Sequence, residues 1–413
     1  MKNFVFLLIF GFPYCISANS SVNAFLLAAQ AEVNELNVSS STGTHMSMAG
    51  SWLDEAQFRF NASEGNKFDT KEREQSYEIR VRPKAWGQHE VEESILDLRS
   101  EQQNYSYNFA LNAALKKRYL VLLAYLEQHN ITQYLFNLLA LSTQEAEFIR
   151  SEVMTDRFSA EKFFDAVEMT EQSEGLAILN LARLNALQTQ IGVPLDTADS
   201  VLHTFTVESM LDPTDYTDKF VDMNNALQSA PAVLNEHLAL EMAKAKGELI
   251  KTERQLGVNL LSFGYKDRAI GGDNMTFQVG INIPLGRHFS SAESQYELYE
   301  AQTHLNDRIT AIAQSLTNIQ KEISWLMEEI KLADLQVHRV QKHLEKEYVK
   351  ANPLQTIQLR KELIEYRKKR NDIKIKALSL YVSSLTLSGF LIREPLRNWI
   401  QSGTPELVSG KEY

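Results

Sequence analysis

The sequence predicts a mainly α protein with some β: long antiparallel coiled-coil helices joined to two β-hairpins. Three observations predict it. A run without glycine or proline extends from Arg287 to Asn352, four short segments alternate apolar and polar residues, and the arrangement occurs twice with a period of about 200 residues. Glycine and proline are scarce in the 413-residue chain, 17 and 9, which favours helix over turn.

The chain opens MKNFVFLLIFGFPYCISANS, with Lys2, an apolar run from Phe4 to Ile16 and small residues at Ser17 and Ala18. This is expected to be a secretory signal peptide over residues 1–18, cut after Ala18. A membrane anchor is the alternative, but the run is shorter than the ~20 residues a spanning helix needs. Cys15 is the only cysteine; Phe12-Pro13-Tyr14 before it lacks the small residues of a lipidation site, so the mature chain is expected to have none. An exported chain without disulfides is held by packing, size or oligomerisation. The formal net charge is −11, or −12 without Lys2, which argues against nucleic acid as a partner.

The first repeat is assigned to residues 19–192 and the second to 217–392, with a linker at 193–216 and a polar, loosely ordered tail from 393 to 413. In the second repeat Leu305, Ile309, Ile312, Leu316, Ile319, Ile323, Leu326, Ile330, Ala333, Val337, Val340 and Leu344 alternate in steps of four and three. That is the a/d seam of a coiled coil. An unbroken helix from Arg287 to Asn352 would be ~100 Å long. Pro353 ends it, and a second arm from Leu354 to Ser388 stops at Gly389, so the two read as a helical hairpin. The first repeat follows the same plan, with Leu111, Leu115, Leu122 and Leu126 at coiled-coil spacing, a polar break near 155–159, and an arm closing at Gly192.

Two hairpins precede the long helices. QFRFNAS with YEIRVRP forms the first, within residues 57–83, and VNLLSFGY with FQVGINI the second, within 258–284. Tyr77 answers Phe277, Ile79 answers Val279 and Val81 answers Ile281. Pro83 and Gly87, like Pro284 and Gly286, mark strand-to-helix junctions. The helix leading into the second hairpin, Ala232–Gln255, reads as stronger than SSVNAFLLAAQAEVNEL ahead of the first. Tyr77, Ile79, Val81, Phe277, Val279, Ile281 and Ile283 are expected on a lipid face, and Glu78, Arg80, Arg82, Gln278, Gly280 and Asn282 on a lumen face. Four strands cannot close a barrel, whereas three chains would supply twelve.

The chain resembles the TolC-type outer-membrane efflux family. The resemblance rests on the duplicated order of helix, hairpin and two helices, on APAVLNEHLALEMAKAKGELIKTERQLGVNLLSFGY, on NIPLGR and on YVSSLTLSGFL. It implies a homotrimer with a 12-stranded β-barrel in the outer membrane of a Gram-negative bacterium and an α-helical barrel beneath it. It also implies docking to a periplasmic adaptor and an inner-membrane transporter of the RND, ABC or MFS type. In the family the turns between long helices close the periplasmic aperture, often with acidic residues. The matching turns here are Thr155–Met169 and Tyr348–Arg360. In the first, Glu161, Asp165 and Glu168 share one helical face, either a cation-attracting ring or a plain solvated surface. In the second, Thr356 and Gln358 stand where many members carry aspartate, and Tyr348 and Arg360 are candidates for a hydrogen bond across helices.

No phosphate-binding loop or catalytic cluster is legible, so no enzyme, cofactor or metal is expected. His338 and His343 lie about 140° apart around a helix, and His89 with Glu93 reads as a surface pair. The function expected is a passive exit duct of a tripartite efflux or secretion system. The alternative is a periplasmic coiled-coil adaptor or scaffold.

Overall fold

In the first turns of the chain Val22, Leu26, Ala29 and Val33 recur at helical spacing, and they form the buried stripe of helix α1, Ser20–Ser40. A computed structural model describes residues 20–40, 52–67, 70–154, 158–192, 205–216, 227–255, 257–268, 272–283 and 289–403. Residues 1–18, expected to be a signal peptide, lie outside them, as do Pro284, Gly286 and the last ten residues. After α1 come β1 (Leu53–Lys67), β2 (Thr70–Pro83), α2 (Gln88–Ser151), α3 (Ala160–Ile191), α4 (Pro231–Glu253), β3 (Gly257–Arg268), β4 (Asn274–Asn282), α5 (Phe289–Leu344), α6 (Glu347–Lys350), α7 (Pro353–Ser388) and α8 (Phe390–Arg393).

The chain divides into two compact units that cut across the repeats, each repeat contributing to both. One, the sheet unit, gathers described residues between 37–109 and 228–311. The other, the helical unit, gathers those between 1–36, 110–227 and 312–413. Helices α2 and α5 supply residues to each.

The sheet unit holds one antiparallel sheet in the order β1-β2-β3-β4, so the two hairpins are joined through β2 and β3. Its strands extend past the apolar segments that announce them: β1 starts at Leu53 and runs to Lys67. Backbone pairing continues there through charged residues such as Glu64↔Arg73. Helix α4 lies close to α5 at Gly247, where a Cβ would sit 2.8 Å from the Ser294 hydroxyl.

The helical unit buries most of the seam. Of the ten α5 seam positions from Ile312 to Leu344, eight are buried and Ile319 and Leu344 are half-buried, while Leu305 (buried) and Ile309 (half-buried) belong to the sheet unit. Leu111, Leu115, Leu122 and Leu126 on α2 are buried too. Each such side chain contributes roughly 1.5–3 kcal/mol relative to exposure. Polar contacts set how α2 meets α7: Asn130, itself buried, donates to Asp372 at 2.8 Å and accepts from Asn371 at 3.1 Å. Gly192 and Gly389 cap α3 and α7 in the left-handed conformation, as the sequence predicts.

Three expectations need correction. Helix α5 does not run unbroken to Asn352: it ends at Leu344, because Lys346 turns extended (ψ 136°) and its N–H bonds back to the His343 carbonyl at 3.2 Å. No apolar residue occupies Glu345–Glu347, so nothing there rewards further helix. Helix α1, expected to be the weaker entry helix, is continuous over Ser20–Ser40 and nearly as long as α4, at 21 residues against 23. It is held by Arg118, which donates to the Phe25 carbonyl at 2.5 Å and to Glu32 at 2.9 Å.

The third correction concerns the tail. Residues 394–403 are packed rather than loose: Asn398, Trp399 and Ile400 are buried. They join the segment 205–216 through Leu211 N–H to the Ile400 carbonyl (2.9 Å), Ser402 N–H to the Ser209 carbonyl (3.0 Å) and a Met210↔Gln401 bridge. Tyr119 closes the assembly, its hydroxyl donating to the Arg397 carbonyl at 3.0 Å and accepting from Trp399 N–H at 3.2 Å. Tyr216 stacks flat on Tyr381, ring centres 4.3 Å apart. Trp399 and Ile400 supply the apolar surface that binds an otherwise polar segment into this core.

Candidate functional site

Residues directly opposite in an antiparallel pair share a face, so the register of the three ladders defines both surfaces of the sheet. Phe58, Ile79, Phe263 and Phe277 form one row across all four strands. Phe60, Tyr77, Tyr265 and Met275 form the next, and Ala56, Val81, Leu261 and Val279 a third. Every member is apolar or aromatic. The intervening rows, on the opposite face, are Arg59, Glu78, Gly264, Thr276 and Gln57, Arg80, Ser262, Gln278.

Within the single chain both faces of the sheet are open, and the apolar one is not covered by any core. Phe58 is 66% exposed, Phe277 69% and Ile281 60%, while Arg59, Thr276 and Gln278 are exposed on the polar face and Ser262 there is buried. The polar face satisfies itself: Glu78 accepts from Arg80 Nε and from the Ser262 hydroxyl, both at 2.7 Å. An apolar solvent on one side and water on the other accounts for both surfaces at once.

The band also has limits. Along β4 it runs from Met275 to Ile283, eight steps or about 27 Å, which a strand tilt of ~40° reduces to about 21 Å. A lipid-facing band is ~25 Å tall. Beyond Tyr77 the same face continues into Gln75 opposite Asp267 and Ala62, so the apolar character stops within one row. At the other end Trp52 and Trp86 are 64% and 91% exposed beside the strand ends, the position of an interfacial aromatic girdle.

The first junction is where the sequence places it. Pro83 closes the β1–β2 ladder opposite Leu53, and proline lacks the N–H that a further rung would use. Lys84 N–H then bonds to the Trp52 carbonyl at 2.9 Å, and Gly87, at φ +79°, turns the chain into α2. That conformation strains any residue with a Cβ. Pro284 and Gly286 lie outside the described residues, between the end of β4 and the start of α5.

The turn residues are displayed rather than joined. Glu161, Asp165 and Glu168 are all exposed on α3, whose start Ser159 caps by accepting from Lys162 N–H at 3.4 Å; Gln172 donates to Glu168 at 2.8 Å. Tyr348 is exposed, with the Lys346 ammonium 5.7 Å from its ring, and Arg360 is exposed as well. Among the described residues no hydrogen bond joins Tyr348 to Arg360. Thr356 holds the turn together, its hydroxyl donating to the Val349 carbonyl at 2.8 Å. His89 is half-buried, with Nδ1 shielded from solvent, rather than on the surface. Among the described residues no cluster of three His, Cys, Asp or Glu is placed to hold a metal, and no helix is long and apolar enough to cross a membrane.

No protein-family profile and no curated protein sequence matches the chain. Solved structures do. The outer membrane protein VceC of Vibrio cholerae superposes with a TM-score of 0.60 at 12% identity, over 90% of this chain and 93% of that one. The CmeC outer membrane channel of Campylobacter jejuni gives 0.53 at 11%, over 94% and 86%. CusC, studied for the conformational changes that accompany its folding and transmembrane channel formation, gives 0.55 at 13%, over 90% and 91%. A path shared along nine-tenths of each pair, at identities this low, establishes the architecture, and the chain has the fold of the TolC-type outer-membrane channels.

Proposed function

We propose that the protein is a TolC-type outer membrane factor, the exit duct of a tripartite efflux or secretion system in the outer membrane of a Gram-negative bacterium. The observation that carries this reading is the two-faced sheet, whose three apolar rows lie uncovered on one face while the polar rows of the other carry their own hydrogen bonds. A four-stranded sheet with that outer face and two edges unpaired within the chain is a third of a wall. Three copies joined β1 to β4 close a 12-stranded barrel and leave no edge in lipid.

The long helices then form the periplasmic extension. The duct is a passive conduit that neither binds nucleotide nor performs chemistry. Its partners are two further copies of itself, outer-membrane lipid, a periplasmic adaptor, and an inner-membrane transporter of the RND, ABC or MFS type. Glu161, Asp165 and Glu168, with Tyr348 and Arg360 on the neighbouring turn, are the residues proposed to line the periplasmic aperture. Residues 1–18 direct export, and the two repeats frame a linker at 193–216.

Membrane fractionation tests the reading. The protein is expected in outer membranes after a urea wash, extractable by detergent, and trimeric by native mass spectrometry. A water-soluble, all-helical species would instead identify the adaptor or scaffold. Deleting the gene and profiling sensitivity to metals, dyes, detergents and antibiotics, beside a comparison of secreted proteins, names the cargo class.

A further inference from the structure

The polar face of the sheet is not a neutral lining. In three successive rows of β1 and β2, Arg59 stands opposite Glu78, Arg80 opposite Gln57, and Arg82 opposite Glu55. In the first two rows β3 and β4 contribute only Gly264, Thr276, Ser262 and Gln278. The acids are already engaged. Glu78 is held by Arg80 and Ser262, and Glu55 lies 3.7 Å from Arg82. Arg59 instead donates to the neutral amide oxygen of Gln57 at 3.0 Å. Lys266 on the same face is paired with Glu74 in the next row. Among the described side chains of these rows the charges therefore come to four cations against three acids, with Arg59 in excess, on a chain whose net charge is −11.

We propose that Arg59, Arg80 and Arg82 form a cationic belt in the lumen that attracts and selects anionic solutes bearing carboxylate, sulfonate or phosphate groups. The inference rests on the duct reading, which makes this face a lumen and repeats it three times. A narrow water-filled passage with low-dielectric walls concentrates the field of such a ring. Guanidinium stays charged at any physiological pH and offers paired N–H donors that match planar or tetrahedral oxyanions. The small neutral side chains on β3 and β4 leave space beside the arginines for a solute to reach them.

The test uses the full chain in lipid nanodiscs, which leave both ends of the lumen open, with 8-hydroxypyrene trisulfonate as the anionic probe and a cationic dye of similar size beside it. Fluorescence polarisation is expected to show binding of the trisulfonate in preference to the cation, weakened by roughly tenfold or more when salt rises from low millimolar to ~0.5 M. Arg59→Gln and Arg82→Gln should each weaken it about fivefold, and Glu55→Gln should tighten it by a similar factor. Lys331→Gln, on the exposed surface of α5, should leave it unchanged. The opposite signs at positions 55 and 59 separate a charge effect from damage to the fold. Equal binding of both dyes, or the same affinity in the Arg59 and Glu55 variants, overturns the belt while leaving the duct standing. A chain that never enters nanodiscs overturns both.

Discussion

The hydroxyl of Tyr119 is the smallest group on which a large region depends. Tyr119→Phe removes the acceptor of Trp399 N–H and the donor to the Arg397 carbonyl in a buried place. A loss of about 1–3 kcal/mol is expected, read as a lower unfolding midpoint in detergent. Burial raises the ionisation of Tyr119 above the ordinary tyrosine value near 10, and burial, then the neighbouring rings and nearby aspartates, does the same for Tyr216. Tyr381 is raised chiefly by burial as well. Stability tied to these groups is complete below the unfolded value and is lost as pH climbs from about 10 through the folded values. Helical signal followed by circular dichroism should therefore hold from pH 7 to 9 and melt at progressively lower temperature above pH 10. None of this was legible in the sequence, where Trp399 and Ile400 sit in a stretch too polar and too short to show a period; only the structure supplies their partners at 205–216.

Among the elements, the strands make the strongest demand on residue identity. Ile79→Arg would place a charge in the row of Phe58, Phe263 and Phe277, a cost of roughly 2–4 kcal/mol near the middle of a membrane; Gln278→Arg points the same charge to the other face. Refolding into phosphocholine vesicles, scored by protection from protease, should fail or slow for Ile79→Arg and proceed for Gln278→Arg. Equal insertion of the two would mean that the faces are assigned wrongly. This alternation was readable in Tyr77, Ile79, Val81 and their counterparts because a sheet with one apolar and one polar face leaves a period of two. The outer ends of β1 and β2 were not, since Glu64↔Arg73 and Asn66↔Lys71 pair through the backbone and carry no hydrophobic signal. Helix stops were legible where glycine marks them, at Gly192 and Gly389, and Pro353 marked a helix start; the stop at Leu344 was missed, because the charged residues that follow it carry no breaker signal.

For the whole molecule, the unpaired edges of β1 and β4 predict a number. Asn61→Cys on β1 combined with Gln278→Cys on β4, treated with a flexible bis-maleimide in membranes, should give a ladder of one, two and three chains that stops at three. The only native cysteine, Cys15, lies in the segment expected to be removed. A ladder that ends at two, or that continues past three, would rule out a closed ring of twelve strands. Glu78, Arg80 and Arg82 were legible in the sequence as one face of a strand, while Arg59 joined them only once the register placed it opposite Glu78. The buried Trp399 and Ile400 also impose an order of events. The sheet unit draws on no residue beyond 311, whereas the helical unit needs both α1 and the buried Trp399 and Ile400. The sheet unit is therefore synthesised about ninety residues before Trp399 and Ile400 can complete the helical core. On the duct reading Phe58, Phe263 and Phe277 would stay bare for that interval, and a chain of this design would call for a holding chaperone while it waits.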